Sequence, residues 1–130
     1  DLIISNPPFY TDDFKSGNKA RDKARFEEAL PFTELLSSVS KLLSPSGQLN
    51  VIIPFSEEEN FINLAKKKRL YPSRILRVRG QESSPLKRSL ICFTFKEKSV
   101  DDIRELTIEI IRHQYTEDYI NLTKDFYLKL

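Results

Sequence analysis

Cysteine, histidine and long apolar runs are nearly missing from this 130-residue sequence, and each shortage closes off a class of function. Cys92 stands alone in an apolar segment, so no disulfide can form within the chain. His113 is equally solitary, which leaves no cluster of nitrogen and sulfur ligands of the kind that holds zinc or iron. A metal mechanism is not expected, and Cys92 and His113 read as a core thiol and a surface imidazole. No apolar stretch approaches the roughly 20 residues of a membrane-spanning helix, and no basic start followed by an apolar segment marks a secretory signal. The expected setting is cytoplasmic, with no membrane partner. A chain that is 39% hydrophobic and 31% charged has the balance of one globular domain rather than of a disordered or fibrous segment.

The net charge of +2 hides an uneven distribution. Between Asn60 and Lys96 there are ten lysines and arginines against the single acid Glu82, whereas the segments on either side are both net acidic. A basic middle suits a polyanionic partner, although it is also what an ordinary solvated face looks like.

Asp1-Leu2-Ile3-Ile4-Ser5 reads as an apolar strand with no element before it, like the cut edge of a parallel sheet. Phe32, Leu35, Leu36, Val39, Leu42 and Leu43 recur at spacings of three and four, which predicts a helix ended by Ser44-Pro45-Ser46-Gly47. Leu49 to Pro54 follows as a short buried strand. Ser56 with Glu59 three residues on is a capping-box pattern opening a second helix from about Glu57 to Leu70. Arg74 to Arg79, Ser89 to Lys96 and Leu106 to Ile111 read as strands, and the tail from about Thr116 to Tyr127 as a helix. Strand, helix, strand, helix, strand is the order of an open α/β sheet entered in the middle of a unit.

Asn6-Pro7-Pro8-Phe9 comes directly after the first strand, and the carboxyl ends of strands are where open α/β sheets bind ligands. An exocyclic amine offers N–H donors, and a catalyst gains by accepting from them while a methyl donor approaches the nitrogen. Asn6 carries a side-chain carbonyl able to accept one such bond. The two prolines restrict the backbone and aim the Asn6 side chain and the Pro7 carbonyl. Phe9 or Tyr10 offers a flat apolar face for a base taken out of its stack.

Asp1 to Phe9 resembles motif IV of amino-group methyltransferases, in which Asp, Asn or Ser precedes Pro-Pro and an aromatic residue after the fourth strand of a Rossmann-like sheet. Leu43 to Leu49 similarly resembles the helix-to-strand turn that follows in those enzymes. Lys19-Ala20-Arg21-Asp22-Lys23-Ala24-Arg25-Phe26 and Leu122 to Leu128 look like stretches of the bacterial tRNA(Val) adenine-N6 methyltransferases, which modify the adenine 3′ of the anticodon. The resemblance implies an α/β fold: the C-terminal half of a Rossmann-like class I methyltransferase sheet, with helices on both faces and the last strands antiparallel. It implies S-adenosylmethionine as cofactor, tRNA as partner, and Asn6, Pro7, Pro8 and Phe9 as the catalytic motif. The family's glycine-rich loop and acidic cofactor residue have no counterpart among the three glycines present. Residues 1–130 would then be the substrate-facing part of one domain, with the cofactor-binding half absent and little activity in this chain alone.

Helices after parallel strands start near the ligand-binding edge, which places Lys19, Arg21, Lys23 and Arg25 near Asn6 as candidate phosphate contacts. The run Lys66 to Arg69 ends its helix at the far edge and serves the helix dipole better. Lys87 and Arg88, in a loop between a strand leaving at the active edge and one entering there, are expected to overhang the site. Tyr115, Tyr119 and Tyr127 read as packing residues of the tail. Guanine-N2 methylation of ribosomal RNA, glutamine methylation of a release factor, and a noncatalytic RNA-binding role stay open as alternatives. An exposed first strand and open apolar faces would favour self-association.

Overall fold

A computed structural model of the protein describes residues 1–8 and 32–127. Among them, six strands form one mixed sheet in the order β1-β2-β4-β3-β5-β6. These are β1 (Leu2–Ser5), β2 (Gln48–Pro54), β3 (Tyr71–Gln81), β4 (Arg88–Thr94), β5 (Asp102–Ile111) and β6 (Gln114–Tyr115). Helix α1 (Phe32–Leu42) precedes β2, α2 (Glu58–Lys66) follows it after a single 3-10 turn (Phe55–Glu57), and α3 (Glu117–Thr123) ends the described chain.

The expected first helix is present because its apolar residues form one stripe. Phe32, Leu35, Leu36 and Val39 are buried, with Glu34 in the first turn and Lys41 in the last, each complementing the helix dipole. The turn that ends it depends on Gly47, whose amide donates to the Ser44 carbonyl at 2.9 Å. A Cβ at that position would stand 2.6 Å from Leu43 Cδ1, so only glycine lets the chain pass so close to the helix end. Leu49, Val51 and Ile53 then alternate inward along β2 against α1 and α2.

β1 and β2 run parallel, with Ser5 opposite Val51. β4 runs antiparallel to both β2 and β3, so β3 is parallel to β1 and β2. β5 adds parallel to β3, and β6 returns antiparallel beside β5. Consequently β1, β2, β3 and β5 all end at one edge. The main core lies between the sheet and helices α1 and α2, where Phe61 is fully buried and packs edge-on against Phe32 at 4.8 Å and tilted against Phe93 at 5.5 Å. Each such buried ring contributes roughly 1.5–3 kcal/mol of transfer free energy.

Among the described residues the other face of the sheet is covered only at β5, by α3. Beside α3 runs a groove of about 720 Å³, to which Ile4, Ile52, Leu76, Leu90, Leu106 and Leu122 contribute side chains. Leu2 and Ile4 of β1 are 59% and 71% exposed.

Several details differ from the sequence reading, among them the end of α2 at Lys66 rather than Leu70 and the short β6. Ser56 does not cap α2: the residue before the helix is Glu57, with no side-chain cap, because the 3-10 turn displaces Ser56 outward. β5 begins at Asp102 rather than Leu106, since its charged first residues, Asp102, Arg104 and Glu105, lie on partly or fully exposed positions and disguise a strand. The tail helix is shorter than expected, seven residues from Glu117, capped by the Thr116 hydroxyl accepting from the Tyr119 amide at 3.2 Å.

Candidate functional site: the carboxyl edge of β1, β2 and β3

The chain leaves β1 at Asn6, which is exposed, passes through a buried Pro7 and emerges at an exposed Pro8. Pro7 is buried while Asn6 stays open to solvent, and the fixed φ of each proline limits how the pair can move. Phe9, Tyr10, Lys19, Arg21, Lys23 and Arg25 lie outside the described residues.

One strand away, β2 ends at Pro54 and turns through Phe55–Glu57. Lys87 is held between two strands at this edge: its amide donates to the Val78 carbonyl at 2.7 Å, and its carbonyl accepts from the Phe55 amide at 3.0 Å. Arg88 opens β4 opposite Pro54 and Val78, and its guanidinium donates to the Lys87 carbonyl at 3.1 Å. Both side chains are exposed, and neither is in an ion pair among the described residues. The structure therefore brings Lys87 and Arg88 to the edge that carries Asn6, Pro7 and Pro8.

Two other cations of the basic middle are occupied. Arg77 donates through Nε and Nη2 to the two Glu58 carboxylate oxygens at 3.0 and 2.9 Å, and the Ser89 hydroxyl donates to Glu58 Oε1 at 2.8 Å. The hydrogen bond to Glu58 holds the Arg77 guanidinium pKa above its ordinary value, against the opposing effect of burial. Arg77 also lies over the Phe55 ring, 5.7 Å from its centroid. Arg79 pairs with Glu105. Lys66 closes α2 and Lys67 to Arg69 follow it, away from this edge. Sequence reasoning missed Glu58, Arg77, Ser89 and Phe55. A signal existed, since Glu58 sits at helical spacing from Phe61 and Ala65, which puts an acid on the buried stripe of α2.

Cys92 is buried on the sheet. His113 is exposed in the β5–β6 turn at φ 67°. Tyr115 and Tyr119 pack ring to ring at 5.1 Å, and burial followed by a hydrogen bond with Tyr127 pushes the Tyr119 phenol up. Among the described residues no group of histidine, cysteine and acidic side chains could hold a metal ion, and no helix is long and apolar enough to cross a membrane.

No model of a known protein family matches the chain. Among solved structures, it is similar at a TM-score of 0.45 to the M1.HpyAVI–SAM complex, with 9% identity over 83% of this chain and 57% of the other. A Listeria monocytogenes protein described as a class I S-adenosylmethionine-dependent methyltransferase gives the same score at 15% identity, covering 82% of this chain and 36% of the other. The sequence relatives are much nearer. In particular, the chain is 55% identical over 130 residues to the tRNA1(Val) (adenine(37)-N6)-methyltransferase of Christiangramia forsetii, covering 100% of this chain and 54% of the relative. It is 54% identical to the protein of that name from Flavobacterium johnsoniae and 44% identical to that from Bacteroides fragilis strain YCH46. The chain is thus related over its whole length to the tRNA1(Val) adenine-N6 methyltransferases, as the Asn6 to Phe9 motif and its companions suggested, and it spans about half the length of those it matches.

Proposed function

We propose that this chain is the substrate-facing half of an S-adenosylmethionine-dependent methyltransferase domain that methylates the exocyclic N6 amine of an adenine in tRNA, beside the anticodon. The observation that carries the reading is the whole-length relation to proteins of that name, together with Asn6-Pro7-Pro8 at the carboxyl edge of β1.

The Asn6 side-chain carbonyl accepts one N–H of the amine and the Pro7 carbonyl accepts the other, which fixes the nitrogen's direction. S-adenosylmethionine, when bound, supplies an electrophilic methyl group. The described residues of this chain fit the amine side of that reaction, with an exposed acceptor on a rigid turn; they include no glycine-rich turn at a strand end to cradle the cofactor. The nitrogen attacks first and loses its proton afterwards, so no poised histidine or glutamate is needed here. Phe9 or Tyr10 supports the flipped base, while Lys19, Arg21, Arg25, Lys87 and Arg88 meet phosphates in the cytoplasm, where tRNA is modified.

The test is Asn6→Ala in the full-length protein, with methylation of tRNA and binding of tRNA measured separately. The expected result is methylation lowered on the order of a hundredfold, the scale of losing one aligned hydrogen-bond partner at a reacting group, with binding retained. Undiminished methylation would remove Asn6 from the mechanism.

A further inference from the structure

Phe55 and the ionic group behind it have no part in the scheme above. Glu58 is 9% exposed and Ser89 fully buried, and the Glu58 carboxylate accepts two hydrogen bonds from Arg77 and one from the Ser89 hydroxyl at the carboxyl edge of the sheet. Burying a carboxylate is costly unless it is paired and hydrogen-bonded, and here both conditions are met. The group links the start of α2, β3 and β4, and its cation lies over one aromatic ring, that of Phe55. Arg77 is neutralised by Glu58 and offers little to a phosphate. What this arrangement presents beside Asn6 is a partly exposed ring held in place by a guanidinium.

The position of the ring says what it can touch. Ser5 faces Val51 in the parallel pair, so Asn6 stands about level with Ile52 and Phe55 lies three residues further along. With a rise of about 3.3 Å per residue and strands about 4.8 Å apart, Phe55 is displaced roughly 10 Å along the strand direction and one strand across. At that separation a base held at Asn6 by its amine leaves the Phe55 ring to the nucleotide next to it. Taking a base out of its stack leaves the flanking base without a partner, and proteins that bind unstacked RNA supply aromatic rings for such bases.

We infer that Phe55 stacks on the nucleotide flanking the methylated base, with Arg77, Glu58 and Ser89 as positioning residues that hold its ring. The inference rests on the base-methylation reading above and deepens it. Phe55 sets which single-stranded context is accepted, and the amine chemistry belongs to Asn6.

The experiment compares full-length wild type, Phe55→Leu, Phe55→Tyr and Glu58→Gln on an anticodon stem–loop RNA, intact or made abasic at each nucleotide flanking the target adenine. Phe55→Leu keeps an apolar side chain and removes the π-face. It is expected to raise KM for intact RNA about tenfold, the scale of one lost base–aromatic stack, with kcat unchanged. Phe55→Tyr keeps the wild-type KM, Glu58→Gln raises it, and on one of the abasic RNAs the wild-type and Phe55→Leu values converge. A Phe55→Leu enzyme with wild-type KM, a KM ratio that is the same on every RNA, or a loss in kcat alone would overturn the inference while leaving the methylation reading intact. A wild-type protein that methylates none of these RNAs overturns both.

Discussion

Arg69 ends α2 in a backbone conformation that favours glycine. Its φ is 60°, and the two closing bonds run from the Arg69 amide to the Lys66 carbonyl and from the Leu70 amide to the Ala65 carbonyl, each 3.0 Å. This is the helix ending in which a left-handed residue satisfies the last carbonyls and the next residue, here the fully buried Leu70, packs back on the helix. A side chain in the left-handed region costs roughly 1–2 kcal/mol, and glycine returns part of that gain through its freer unfolded state. Arg69→Gly should therefore stabilise the protein by about 0.5–1 kcal/mol in urea unfolding. A loss of stability would mean that the exposed arginine contributes more through the helix dipole than it costs in strain.

Among the elements, α1 and β2 were legible from the residues because one force shapes each. Phe32, Leu35, Leu36 and Val39 repeat with the helical period, and Gly47 marks the stop. β5 was half hidden, and β6 fully so, because an exposed strand near a sheet edge has little apolar periodicity to show. The placement of Lys87 and Arg88 at the edge that carries Asn6 to Pro8 followed from strand direction alone. The Glu58–Arg77–Ser89 group did not, since Arg77 and Ser89 lie 19 and 31 residues from Glu58, and the three meet only through the register of β3 with β4 and the placing of α2 against them. β1 is the element with the least cover. Among the described residues nothing pairs with its outer side, and Leu2 and Ile4 face out beside the apolar groove. An unpaired strand of this kind invites edge-to-edge pairing. The chain by itself should run larger than a monomer in size-exclusion chromatography with light scattering, and Ile4→Lys, a charge on the edge, should return it toward the monomer. A clean monomer at high concentration before the substitution would show that the edge is already covered.

At the scale of the molecule, the Asn6 to Pro8 turn, the two exposed cations and Phe55 share one edge, while among the described residues the side of the sheet opposite α1 and α2 is left largely open. Catalysis of methyl transfer needs a donor site adjoining the acceptor, and binding that donor's sulfonium and nucleoside groups takes a turn where backbone approaches closely, usually through glycine. Of the three glycines in the chain, Gly47 serves the close approach at the end of α1, and Gly80 lies within β3 with open space around it. Neither stands in a glycine-rich turn. Since the relatives extend to about twice this length, the donor site is expected in the part of the protein that this chain does not span. Isothermal titration of S-adenosylmethionine into the chain and into the full-length protein should give heat only with the second. Binding of similar strength to both would place a complete donor site within these 130 residues and overturn the division of labour proposed for the two halves.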